Sequence, residues 1–257
     1  MEAPVHDPYA SIAQLYEAEH QHWLEDVEMY LALSARAGSP ILELGCGSGR
    51  VLLPLAEATH VAHGIDICKP LLKIATEKAK RKGLPVVLAQ KDMREISSPP
   101  KFGLVFCALD TLLHLPQHED LLSVLTSAFN ALVPGGLFAI DVVNPTPELL
   151  VQGDGLVRRQ SSFIGPSETS VTHFVAWDID PNTQTIKSHH FYDWISSNDQ
   201  MNRRTASIFL RYWTRDQIEE ALKATGFTSP ELYGSVQLDE FEPDSERMIF
   251  VCTRPTA

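Results

Sequence analysis

Between residues 41 and 144 short apolar runs alternate with amphipathic stretches. The runs 41–44, 61–66, 86–89, 102–108 and 136–143 have strand length, and the stretches 50–58, 69–82 and 117–132 repeat apolar residues at helical spacing. This alternation predicts βαβ units around a mainly parallel sheet with helices on both faces. In the last stretch Leu121, Leu122, Val124, Leu125, Ala128, Phe129 and Leu132 share a helix face, and Pro134-Gly135-Gly136 is expected to end the helix. Ahead of this core, residues 9–35 read as one or two helices, broken by Gly38-Ser39-Pro40 before the first strand.

Beyond Asn144-Pro145 the period changes from helical to alternating. Val171, His173, Val175, Trp177 and Ile179 fall on one face of a strand, and Ile186, Ser188, His190, Tyr192 and Trp194 on one face of the next. Phe174 and Phe191 fall on the opposite faces. Turn signals at Gly165-Pro166-Ser167, Asp180-Pro181-Asn182 and Ser196-Ser197-Asn198-Asp199 separate the strands of an antiparallel meander. Large side chains on both faces predict that both are covered, one by the core and one by a ligand or partner. Thr214 then caps a helix over 215–224 closed by Gly226, and strand-like runs follow at 231–236 and 247–253. The expected organisation is a helical segment over 1–37, an α/β core over 38–145 and 211–257, and an antiparallel insertion over 146–210.

Composition narrows the function classes. Lys and Arg number 21 against 33 Asp and Glu, a net charge of -12, and such a field repels phosphate backbones and anionic lipid. Nucleic acid and membranes are therefore not expected as partners, and no apolar run reaches the roughly 20 residues of a bilayer span. The opening residues 1–7 show neither a basic region nor an apolar core of an export signal. Cys46, Cys68, Cys107 and Cys252 are widely spaced and read as reduced, buried thiols, so the expected location is the cytoplasm.

The chemistry concentrates in Ile41-Leu42-Glu43-Leu44-Gly45-Cys46-Gly47-Ser48-Gly49-Arg50, an apolar strand running into three alternating glycines and then a helix. Glycines turn the backbone sharply and let a ligand approach where a Cβ would collide. Asp66, 21 residues after Gly45, ends the second strand, where a carboxylate accepts hydrogen bonds from ribose hydroxyls. A nucleoside site at the carboxyl edge of the sheet follows. A dinucleotide fingerprint would place its third glycine where Arg50 stands, and Glu43 repels a polyphosphate. The same acid suits a ligand carrying an ammonium and a sulfonium.

At these residues the chain closely resembles the first motif of class I S-adenosylmethionine-dependent methyltransferases. Lys91-Asp92-Met93-Arg94 after the third strand, Ala131-Leu132-Val133-Pro134-Gly135-Gly136, and Tyr212-Trp213-Thr214 with the helix ending at Gly226-Phe227 extend the resemblance over 38–144 and 211–254. It implies a seven-stranded Rossmann-like fold with an N-terminal helical lid and an inserted β cap, and S-adenosylmethionine as cofactor. It further implies that Gly45, Cys46, Gly47 and Gly49 shape the cofactor loop and that Glu43 orients the methionyl ammonium through it. Asp66 and Ile67 would take the ribose, Asp92 and Met93 the adenine, and Ala108 and Leu109 the methyl side.

The segment after the fourth strand, Cys107-Ala108-Leu109-Asp110-Thr111-Leu112-Leu113-His114-Leu115, lacks the Asn/Asp-Pro-Pro-Tyr/Phe of amino-methyltransferases that act on nucleic acids and protein glutamine. Its His114-Leu115 ending resembles small-molecule N-methyltransferases of the glycine, sarcosine and amino-sugar type, which share an N-terminal helix with tyrosines, as Tyr9 and Tyr16 would be. The resemblance implies methyl transfer to an amine of a small molecule, with His114 as base or orienting group and Tyr16 and Asp110 beside it. Each has a bland alternative: His114 as packing for the helix that follows, Asp110 as a turn stabiliser, Tyr16 as a core aromatic. Trp177, Phe191, Tyr192 and Trp194 are the expected substrate wall or, equally, a homodimer contact. An O-methyltransferase acting on a hydroxyl or carboxylate shares the His-Leu ending, and a non-catalytic cofactor-binding interaction module is the alternative from another class. No metal is expected, because two valines separate Asp141 from Asn144 where metal-dependent relatives carry adjacent ligands.

Overall fold

The computed structural model describes residues 7–58, 61–153 and 155–256, so most of the segment read for an export signal lies outside the described residues. Strands β1 (Ile41–Leu44), β2 (Ala62–Asp66), β3 (Val86–Gln90), β4 (Phe102–Cys107) and β5 (Leu132–Val143) lie parallel. With β10 (Glu231–Tyr233) and β11 (Arg247–Thr253) they form a seven-stranded sheet in the order β10-β11-β5-β4-β1-β2-β3. Only β11 runs against its neighbours, on both sides. The expected Rossmann-like, mainly parallel sheet is what the chain builds.

Period-two alternation sorts the strand side chains into two layers. Leu42, Leu44, Val105, Cys107, Phe138, Ile140, Met248 and Phe250 pack beneath helices α5 (His118–Ala131) and α7 (Arg215–Thr225). Ile41, Leu104, Phe106, Leu137, Ala139, Ile249 and Val251 face α2 (Val27–Ala37) and α3 (Leu52–Ala58), with Leu72 of α4 (Lys69–Lys82). α7 begins as its sequence predicts, with Thr214 accepting from Gln217 N–H in a capping box, and Gly226 closes it at φ 98°.

Two local expectations fail. The Pro134-Gly135-Gly136 segment does not end α5. The helix stops at Ala131, and β5 begins at once, with Leu132 opposite Phe102 and then Leu137 opposite Leu104. Residues 133–136 are looped out of register, because a Cβ at Gly136 would lie 2.9 Å from the Val133 carbonyl oxygen and 3.0 Å from that of Gly103. A short helix, α6 (Pro147–Gly153), also precedes the meander, within the segment read as an antiparallel insertion.

The meander is a separate four-stranded antiparallel sheet, β6 (Arg158–Ile164), β7 (Ser170–Asp180), β8 (Thr185–Ile195) and β9 (Met201–Arg211), in chain order. Register pairs His173 with Tyr192, Val175 with His190 and Trp177 with Ser188, so these share the inner face. That face is buried against α1 (Ala13–His20), where Ile12, Val171 and Tyr192 cluster with Tyr9, Leu15 and Trp194. The outer face is not covered by the described residues: Phe209 is 70% exposed, and Phe191 lies there beneath the Arg203 guanidinium, 5.2 Å from the ring centroid.

Candidate active site

The site lies along the carboxyl edge of β4, β1, β2 and β3. Leu44 leads into Gly45, Gly47 and Gly49, all at positive φ (71°, 51° and 77°), which only glycine adopts without strain. The amides of Gly45 and Cys46 both donate to the Ile65 carbonyl, at 2.8 and 3.0 Å, tying the loop to the end of β2. Space is equally limiting at Gly45, where a Cβ would lie 2.4 Å from the Thr111 Cγ2. Glycine here lets the loop after β1 touch the turn after β4.

Asp66 closes the loop from the other side, accepting from the amides of Gly47 and Cys68, both at 2.7 Å. Burial raises its pKa, against the two amide bonds that lower it.

Glu43 stands beneath the loop on β1, 3% exposed, and its Oε2 has no hydrogen-bond partner. Burial pushes its carboxyl well above the usual range, with the Arg50 guanidinium opposing. A buried acid with an unsatisfied oxygen at the pocket floor fits a cationic group, and glycines without Cβ atoms fit a nucleoside laid against the backbone. The residues therefore suit a cofactor that carries an ammonium. Because burial favours the protonated form of Glu43 and a bound cation favours the ionised one, cofactor binding is expected to release protons. Binding enthalpies measured in buffers of different ionisation heat check this, and the release should vanish in Glu43→Gln. In the absence of cofactor the raised pKa favours the folded state below the ordinary carboxyl range and disfavours it as pH rises, so Glu43→Gln should lessen the loss of stability as pH rises above that range.

The pocket above Glu43 is walled by Gly45, Cys46, Gly47 and Arg50 from the loop, by Ala108, Leu109 and Thr111 after β4, and by Tyr16 and His20 from α1. The structure thus brings together most of the residues read as the methionyl end of the site. Gly49 instead packs on α3, where a Cβ would lie 3.0 Å from Leu53. Ile67 is 41% exposed beyond β2. Both carboxylate oxygens of Asp92 are taken by the Arg94 side chain, which also reaches Asp120 at 2.9 Å. Burial would raise the Asp92 pKa, but Arg94 holds it below the ordinary value. Met93 packs against the α5 layer of the core.

The turn after β4 is strained. Leu109 and Asp110 both adopt left-handed backbone, at φ 45° and 63°. Asp110 accepts from the Val143 amide at 2.6 Å and from Arg247 Nη2 at 3.1 Å, while Asp141 accepts from the Leu109 amide at 3.4 Å and from Arg247 Nε. The carboxylate read as a catalytic group is therefore committed to the fold, and it shares a guanidinium from β11 with Asp141, the acid weighed as a metal ligand.

His114 ends the 3-10 turn Thr111–His114, with Nε2 3.2 Å from the Tyr9 hydroxyl and the rings edge to face at 5.5 Å. Burial lowers its pKa to about 4, so the imidazole is neutral near pH 7. Tyr16 meets Tyr9 edge to face at 5.2 Å and stacks on His20 at 4.2 Å, and burial pushes its hydroxyl up to about 12.

The four aromatics read as a substrate wall do not share one. Phe191 is on the outer face. Tyr192, 1% exposed, donates to Glu19 at 3.3 Å and stacks on His173, while Trp177 donates to Ser188 at 3.1 Å. Period-two alternation already separated Phe191 from the rest.

Sequence reasoning missed three contributors. Arg50 reaches back to buried Asp26 with two bonds of 2.5 and 2.6 Å and to the Trp23 carbonyl at 2.8 Å, tying the glycine loop to the chain before α2. Arg247 is the second. The third is the group Glu19, His173 and His190, whose members are far apart in the sequence. An arginine at the position where a dinucleotide fingerprint wants glycine was the one available signal.

The family described as "Methyltransferase domain" matches residues 41–136. The Bacillus subtilis (strain 168) protein YqeM, which carries the name of a methyltransferase, is 27% identical over 94% of this chain and 95% of its own length. The dTDP-3-amino-3,6-dideoxy-alpha-D-glucopyranose N,N-dimethyltransferase of Streptomyces fradiae is 25% identical over 88% of this chain and 87% of its own. A ubiquinone biosynthesis O-methyltransferase of Methylococcus capsulatus is 31% identical over a shorter stretch, 54% of this chain. The crystal structure of an S-adenosylmethionine-dependent methyltransferase from Clostridium acetobutylicum superposes with TM-score 0.80 at 17% identity, over 97% of this chain and 100% of that one. Among the described residues no helix is long and apolar enough to cross a membrane. The glycine loop, the acid beneath it and these likenesses agree: residues 41–136 match the methyltransferase domain family, and the chain is an S-adenosylmethionine-dependent methyltransferase.

Proposed function

We propose that the protein methylates an amine nitrogen of a small molecule. The observation that carries this reading is the neutral, weakly basic His114 held by Tyr9, whose ring in turn meets the pocket-lining Tyr16. A hydroxyl acceptor needs a base matched to the working pH, and an imidazole whose acid form ionises at about 4 is a poor one. A neutral amine carries its own lone pair and needs only to be held in line. The amino-sugar N,N-dimethyltransferase among the relatives supports the same acceptor class.

The cofactor supplies an electrophilic methyl group on a sulfonium. Glu43 holds the methionyl ammonium, the loop Gly45–Gly49 admits the nucleoside, and Asp66 takes the ribose hydroxyls beside Ile67. Cys46, Ala108 and Leu109 line the methyl side, Tyr16 roofs it, and His114 orients the acceptor. Alignment and exclusion of water are the main devices, and alignment alone can supply about 7–11 kcal/mol.

A panel of acceptors with labelled cofactor and a pH–rate profile test this. The value of kcat/KM should rise with pH along the acceptor amine's own ionisation, with no enzyme inflection near pH 6–7. His114→Gln should cost about tenfold. Transfer to hydroxyl acceptors with an inflection near neutrality, abolished in His114→Gln, would overturn the reading in favour of O-methylation.

A further inference from the structure

Helix α1 has eight residues and no side-chain N-cap bond, too little to stand alone in water. Its placement comes from what its side chains reach. Tyr16 and His20, one turn apart, line the cofactor pocket. Glu17 points to the core, pairing with Lys78 of α4 at 2.7 Å. Glu19 points to the cap, where three successive strands each give it one donor: Ser161 Oγ from β6, His173 Nδ1 at 2.8 Å from β7, and the Tyr192 hydroxyl at 3.3 Å from β8.

The cap side of this contact is itself braced. His173 Nε2 lies 3.0 Å from His190 Nδ1, His190 Nε2 lies 2.9 Å from Ser188 Oγ, and Ser188 Oγ accepts from Trp177 Nε1. Trp177 can only donate and an ionised Glu19 can only accept. With both imidazoles neutral, every N–H and O–H between them points toward Glu19. The His173 ring is stacked on Tyr192 at 4.1 Å, with 9° between the planes. Burial would raise the Glu19 pKa, yet these donors bring it below the ordinary value, as a carboxylate held in its charged form requires. A carboxylate so fully engaged has no free role toward a ligand, and its work is mechanical.

We propose that Glu19 is a positioning residue of the methyl transfer: it is the point at which the cap fixes α1, so that Tyr16 and His20 roof the cofactor pocket at the right height. Losing it frees the helix to roll about its axis and withdraws both rings together, while the glycine loop, Glu43 and Asp66 stay in place. This inference depends on the cofactor pocket and not on which atom accepts the methyl group.

The test uses the full chain with Glu19→Gln, Tyr192→Phe and the double variant. S-adenosylhomocysteine affinity is measured by calorimetry, lid order by hydrogen exchange at residues 13–20, and global stability by thermal melting. Glu19→Gln should weaken S-adenosylhomocysteine binding about tenfold, raise the cofactor KM by a similar factor with a smaller change in kcat, and speed exchange over 13–20. The core melting transition should stay in place. Tyr192→Phe should add nothing in the Glu19→Gln background, because both remove the same tie. If Glu19→Gln fails to fold, His173→Gln breaks the contact from the cap side and is read in the same way. Unchanged affinity and exchange in a folded variant would overturn the proposal, as would additive effects in the double variant. Wild-type protein giving no binding heat with S-adenosylhomocysteine would instead remove the pocket assignment on which it rests.

Discussion

Arg247→Met is expected to destabilise the protein by about 3–5 kcal/mol, the largest loss from any single side chain described above. Arg247 is the shared partner of Asp141, 1% exposed, and of Asp110 on the strained turn after β4. Removing it leaves two acids close together in a poorly hydrated place, and the cost is that of stranding their charge. Near neutral pH they can respond only by taking up protons or by moving apart, and Asp110 moves more easily because it sits on a turn. Its bond to the Val143 amide would then weaken, Leu109 and Asp110 would relax from their left-handed backbone, and the pocket wall at Ala108–Thr111 would shift. Thermal melting should report the stability loss. Part of it should return at mildly acid pH, where Asp141, whose carboxyl burial already holds above the ordinary range, takes up a proton. A variant as stable as the wild type would sink this account of the turn.

The second large effect is expected at Asp66. Asp66→Ala should weaken S-adenosylhomocysteine binding by about 100-fold or more, read by calorimetry. Bonds to a charged group contribute roughly 1.5–3 kcal/mol each, and the carboxylate would serve the ligand while also holding the Gly47 amide at 2.7 Å. Asp66→Asn should fall in between, because the amide oxygen can still accept from one loop N–H. Equal binding by all three proteins would mean that the ribose sits elsewhere.

Most of the sheet was legible because β-strands buried between helix layers are written as apolar runs, and runs bounded by glycine or a cap have few other uses. The glycine loop and Asp66 were legible for a different reason. They are local, and each residue type is dictated by backbone conformation or by distance along one βαβ unit. The pocket wall that Glu43, Gly45, Cys46 and Gly47 share followed from that unit. What escaped was non-local or came from competition between partners. Nothing near Asp110 announces Arg247, 137 residues later, so its carboxylate looked available for chemistry. Arg94 claims Asp92 in the same way. The slipped start of β5 was hidden because Pro-Gly-Gly after a helix ordinarily stops it, and only the close approach of Gly103 and Gly136 shows why the segment bulges instead. Glu19, His173 and His190 carry no spacing signal, since they meet only after the meander folds over α1.

The four-stranded sheet leaves the main one after Val143 and hands the chain back at Trp213, whose indole N–H donates to the Leu112 carbonyl at 3.4 Å. The inner face of the inserted strands meets the rest of the chain at α1, while the glycine loop, Glu43 and Asp66 belong to the main sheet. New acceptor preferences are thus open to such a scaffold through substitutions on one surface, as long as a single glutamate keeps its three donors.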